Sequence, residues 1–78
     1  AAQMVYLVDG HRVSLMIFPA ERLRVNGPPV TRIGGKNVFV GRRNGYNVAV
    51  LLDGDMAYAL SSDLGSSKLV SLLGNLEI

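Results

Sequence analysis

Short apolar runs separated by turn residues set the pattern of this chain. Three turn dipeptides, Asp9-Gly10, Asn44-Gly45 and Asp53-Gly54, interrupt runs of Val, Leu, Ile, Met and Tyr. Such dipeptides between β-rich runs are the strongest short-range signal for hairpins. Residues 3–8 and 11–18 therefore read as two strands around the first turn. A three-residue loop, Val8-Asp9-Gly10, puts Val5 and Leu7 on one face with Val13, Leu15 and Ile17, and Met4 and Tyr6 on the other with Arg12 and Ser14. A two-residue loop mixes apolar and polar side chains more, so the pattern favours three.

Residues 19–36 hold all three prolines together with Gly27, Gly34 and Gly35. Their Asn26-Gly27-Pro28-Pro29 centre suits neither a helix nor a central strand. The segment reads as a long loop, with residues 21–25 as a helical turn or a short edge strand. Residues 37–40 read as a third strand that turns through Arg42-Arg43-Asn44-Gly45 into a fourth, residues 46–51. A Leu52-Asp53-Gly54 loop then gives Gly54 the left-handed position that such loops require. It pairs Val50 with Met56, Val48 with Tyr58 and Tyr46 with Leu60, leaving Asn47, Ala49, Leu51, Ala57, Ala59 and Ser61 on a shallow opposite face.

From residue 62 the period changes. Leu64, Leu69, Val70, Leu72 and Leu73 fit a short amphipathic helix, capped by Ser62 or Asp63 and ended by a left-handed Gly74. A helix this short must pack on the sheet to persist. The expected fold is α+β: a small antiparallel sheet of about five strands built from hairpins, with one C-terminal helix packed on it. The expected core is Val13, Leu15, Ile17, Phe39, Val48, Val50, Tyr58, Leu60, Leu69 and Leu72.

With 78 residues, the chain reads as a single domain, of a size at which one core only just offsets conformational entropy. It has no Cys and one His, which excludes disulfides, thiolate metal sites and the usual His cluster for zinc. No cofactor is expected. Hydrophobic residues make up 49% and charged residues 18%, which excludes a disordered polar chain and leaves apolar surface for a homo-oligomer.

Six of the eight basic residues, Arg22, Arg24, Arg32, Lys36, Arg42 and Arg43, fall in one span with no acid inside it, although the net charge is only +2. Such a span is a candidate contact for an anionic partner or anionic lipid. Phe39 and Tyr46 lie close to Arg42 and Arg43 in sequence, which makes a small nucleic-acid-binding module using residues 22–43 the alternative function. A dimerisation domain, pairing through the exposed edge of the N-terminal hairpin, is a third. No stretch reaches the roughly 20 apolar residues that cross a bilayer.

Three further patterns carry no chemistry. Gly34-Gly35-Lys36 departs from a phosphate loop, because Val30 and Asn37 stand where a Gly and a Ser or Thr are required. Asp53, Asp55 and Asp63 lack the spacing of a calcium loop. His11 has no second His or Cys nearby, and Ser14 lies on the opposite face of its strand, so no base-activated nucleophile is visible. The chain reads as non-catalytic.

Gly45-Tyr46-Asn47-Val48, then Asp53-Gly54-Asp55-Met56, Tyr58 and Ser62-Asp63-Leu64 together resemble the C-terminal part of bacterial membrane-anchored anti-sigma factors of the zinc-finger type. The strand of residues 11–18 followed by Pro19 is similar to that family's preceding hydrophobic strand. The resemblance implies an extracytoplasmic sensor or regulatory domain, excised from a longer membrane-anchored protein that controls transcription. Its cytoplasmic part, outside this chain, would bind the sigma factor, and the zinc motif and spanning helix would precede Ala1. The matching residues Gly45, Tyr46, Asn47, Gly54, Met56, Tyr58, Ser62, Asp63 and Leu64 are expected to serve the architecture, as turn glycine, strand aromatic and helix cap.

Overall fold

Tight two-residue turns set the registers of this chain. The computed structural model describes residues 2–25 and 27–76. Strand β1 (Ala2–Val8) turns at Asp9-Gly10 into β2 (His11–Pro19), with Val8 opposite His11. A 3-10 turn (Ala20–Arg22) follows, tied down by the Ala20 amide donating to the Asp55 carbonyl at 2.8 Å. Strand β3 (Thr31–Ile33) turns at Gly34-Gly35 into β4 (Lys36–Arg43), which turns at Asn44-Gly45 into β5 (Tyr46–Asp53). Strand β6 (Met56–Ser62) follows through Gly54-Asp55, and helix α1 (Ser66–Gly74) closes the chain.

The fold is α+β, with one antiparallel sheet of six strands in the order β1-β2-β6-β5-β4-β3. The extra strand is β3, in a segment that reads as loop from its prolines. Val30-Thr31-Arg32-Ile33 before Gly34-Gly35 is itself a hairpin pattern, and the Val30 amide extends the pairing by donating to the Val38 carbonyl at 2.8 Å. Strand β4 also runs past the expected residues 37–40 at both ends.

The first hairpin corrects the expected three-residue loop. Asp9 and Gly10 both take positive φ, 51° and 79°, which is the type I′ turn whose twist matches that of paired strands. Tyr6 therefore faces Val13 and Met4 faces Leu15, while Val5 and Leu7 lie with Ser14 and Arg12. The pattern misled here because β1 is an exposed edge strand, so neither of its faces is under strong burial pressure.

The last hairpin is corrected likewise. Asp53 pairs with Met56, Leu51 with Tyr58 and Ala49 with Leu60, and Gly54 takes the positive φ of 62°. Val50 therefore faces Ala59 and Val48 faces Ser61.

These registers decide the core. Val13, Leu15, Val38, Ala49, Leu51 and Leu60 share the face on which Leu69 and Leu73 of α1 are buried. Ala49 is fully buried beneath the helix, and its small side chain lets the helix axis come close. Ile17, Tyr58 and Leu72 pack against this cluster only in part. Phe39, Val48 and Val50 lie across the sheet from it, on the face without a helix. Val50 is buried there all the same, in a row with Phe39 and Ala59, and Ala57 is buried between Phe18 and Leu52.

The helix ends also differ from expectation. The residue before α1 is Gly65, with no side-chain cap, so neither Ser62 nor Asp63 caps it. Gly74 is the last helical residue and keeps a negative φ, and the turn is closed by the Asn75 amide donating to the Leu72 carbonyl at 3.1 Å.

Candidate functional site

The register pair Asn47 and Ser62 ends the β5–β6 ladder, and from it a hydrogen-bonded joint holds the lead-in to α1. The Asn47 side-chain amide donates to the Leu64 carbonyl at 2.8 Å. Ser62, 2% exposed, donates its hydroxyl to the Arg12 carbonyl at 2.8 Å and accepts from the Leu64 amide at 3.2 Å. Arg42 reaches in from β4, donating to the Asn47 side-chain oxygen at 3.3 Å and the Gly45 carbonyl at 3.2 Å. Strands β2, β4, β5 and β6 are thus tied to the segment that aims the helix, and the buried hydroxyl is satisfied, as its desolvation demands.

At the rim of this joint the His11 Nδ1 lies 2.8 Å from Asp63 Oδ1, both side chains being substantially exposed. The hydrogen bond from His11 holds the Asp63 carboxyl below its ordinary value, outweighing the desolvation that raises it, and the charge of His11 adds to the lowering. In a hydrolytic triad the imidazole stands between hydroxyl and carboxylate. Here the carboxylate stands between, 3.5 Å from Ser62 Oγ, and the Ser62 proton goes to a backbone carbonyl. The trio positions chain segments and does not activate a nucleophile. Ser14 faces away from His11 across β2, as the alternation requires.

Among the resembling residues, Asn47, Ser62, Asp63 and Leu64 converge on this joint, and Gly45 supplies the turn beside it at φ 83°. Gly54 forms the next turn, Met56 opens β6 opposite Asp53, and Tyr58 stands between Ile17 and Leu51 on the helix face. Tyr46 points to the other face and is exposed. There it borders an open depression shared with Arg12, Ser14 and Ser61.

The basic residues do not gather into one patch. Lys36 and Arg42 lie on the helix side of β4, and Lys36 pairs with Asp53 at 3.3 Å. Arg32 and Arg43 point to the opposite side, Arg32 donating to the Gly35 carbonyl at 2.7 Å. Arg22 ends the 3-10 turn, and Arg24 folds back onto the carbonyls of Glu21 and Leu23. Phe39 is half-buried on the face opposite the helix, whereas Tyr46 is exposed beside Arg43. Among the described residues no three His, Cys, Asp or Glu side chains come together as a metal site.

Besides the bonds of the joint, sequence reading missed three charged pairs among the described residues: His11 with Asp63, Lys36 with Asp53, and Lys68 of α1 with Asp9 at 3.7 Å. The β4–β5 register carries the second, the pairing of β2 with the distant β6 carries the first, and the docking of the helix start carries the third. No family model gives a significant match to the chain, and no curated protein or solved structure does so either.

Proposed function

We propose that this chain is the extracytoplasmic regulatory domain of a membrane-anchored anti-sigma factor of the zinc-finger type, working by protein contact and without chemistry of its own. One observation carries the reading. The Gly45-Tyr46-Asn47-Val48 and Ser62-Asp63-Leu64 segments, which carry the family resemblance, meet physically through the Asn47 to Leu64 hydrogen bond. Motif residues far apart in sequence thus correspond to one mechanical object, the joint that sets α1 on the sheet.

In this reading the sigma factor is held by a cytoplasmic part outside residues 1–78, and a spanning helix lies before Ala1. No helix of the described residues is long and apolar enough to cross a membrane. A signal acts by changing the packing or assembly of the domain, and the anchor transmits that change.

The test is the size and location of the native polypeptide, found with an antibody raised against residues 1–78. A longer protein in the membrane pellet, with this domain open to protease from outside, and loss of stress control of a sigma-dependent reporter on deleting residues 1–78, are expected. A short protein in the cytoplasm, or unchanged control after the deletion, refutes the reading.

A further inference from the structure

The two edges of the sheet are unlike. Strand β3 is three residues long, carries Arg32 at its centre and follows Pro28 and Pro29, all features that blunt an edge against further pairing. Strand β1 has seven residues, Ala-Gln-Met-Val-Tyr-Leu-Val, with no charge and no proline, and it is exposed from Ala2 to Leu7. Val5 is 55% exposed and Leu7 78%. A long, uncharged, apolar edge of this kind is a template for another strand.

The register of the first hairpin says which backbone groups are free. A two-residue turn closes with Val8 and His11 hydrogen-bonded to each other. Alternation then turns the backbone groups of Ala2, Met4, Tyr6 and Val8 towards β2, and those of Gln3, Val5 and Leu7 outwards. These three outward residues are spaced symmetrically about Val5, the midpoint of the strand.

We propose that β1 pairs with β1 of a second copy of this chain, antiparallel about a two-fold axis at Val5. In that register Val5 faces Val5, Gln3 faces Leu7, Met4 faces Tyr6 and Ala2 faces Val8. Every outward N–H and C=O finds a partner and all seven residues of each strand are used. A slip by one residue sets outward groups against the wrong phase of the ladder, and a slip by two leaves the strand ends unpaired. The seam is self-complementary, as a two-fold interface must be. It brings no like charges together, and it covers Val5 and Leu7 on one face and Met4 and Tyr6 on the other. Being one strand long, it falls at the small end of specific interfaces, so association is expected to depend on concentration. This inference concerns the edge alone and does not rest on the regulatory reading.

Sedimentation velocity on the chain, from on the order of 10 μM to 1 mM, should show a reversible monomer–dimer equilibrium. Val5→Lys sets two like charges opposite each other at the axis and should leave only monomer, with an unchanged circular dichroism spectrum because the side chain is exposed. Since the chain has no Cys, single thiols report the register. Opposed Val5 positions lie about 5.5 Å apart across the ladder, within disulfide reach, whereas Leu7 and its copy are roughly 14 Å apart. Val5→Cys should therefore cross-link under mild oxidation at least ten times faster than Leu7→Cys. Monomer throughout the concentration range, a dimer that survives Val5→Lys, or equal cross-linking of the two thiols overturns the proposal.

Discussion

Asn47 and Leu64, seventeen positions apart, are joined by a 2.8 Å hydrogen bond from the Asn47 side-chain amide to the Leu64 backbone carbonyl. The bond fixes the start of β5 to the segment that leads into α1, and the Ser62 hydroxyl locks the same segment from the other side. Asn47→Ala leaves a part-buried carbonyl without its donor and should destabilise the fold by about 1–3 kcal/mol. Urea unfolding measures this, and a change within the error of the fit would mean that the joint does not hold the helix.

Leu51 and Tyr58 face each other across β5 and β6, yet they contribute unequally. Leu51 is 2% exposed beneath the helix, whereas Tyr58 packs against the core only in part. Leu51→Ala should cost about 2–5 kcal/mol, as deeply buried leucines do, and Tyr58→Ala less than the roughly 3–5 kcal/mol of a fully buried aromatic. The reverse ranking in chemical denaturation would place the helix over the wrong side chains.

Gly45 and Gly74 should respond to alanine with opposite signs. Gly45 sits at φ 83° in a turn, where a Cβ costs about 1–2 kcal/mol in strain. Gly74 is helical, and a Cβ there would only touch Ile33 Cδ1 at 3.8 Å, so Gly74→Ala should stabilise by about 0.5–1 kcal/mol. Thermal melts of the two variants decide it. Destabilisation by Gly74→Ala would restore the left-handed cap expected from the sequence.

The His11–Asp63 contact makes a pH prediction. Because His11 lowers the Asp63 carboxyl in the folded protein, the carboxylate adds stability that is fully present above its unfolded value near 3.8. That stability is lost as pH falls through the lowered folded value. Melting temperature should therefore fall on acidification below the ordinary carboxylate range, and part of that fall should vanish in Asp63→Asn. Identical acid profiles for the two proteins would show that the contact carries no linkage.

Local sequence determined the hairpin turns, the helix and the α+β class of this protein, because a Gly at positive φ and a change from period two to period 3.6 are properties of a few adjacent residues. It also marked Asn47, Ser62, Asp63 and Leu64, without saying what joins them. Tertiary structure decided the registers. A three-residue loop and a two-residue loop differ by one position, and the apolar side chains on both faces of β1 and β5 gave the pattern no means of choosing. That single step put Ala49 and Leu51 under α1 and Phe39 and Val48 on the opposite face. The contacts of His11 with Asp63 and Lys68 with Asp9 were illegible because only tertiary structure brings their residues within reach, the first through the pairing of β2 with the distant β6 and the second through the packing of the helix against the sheet.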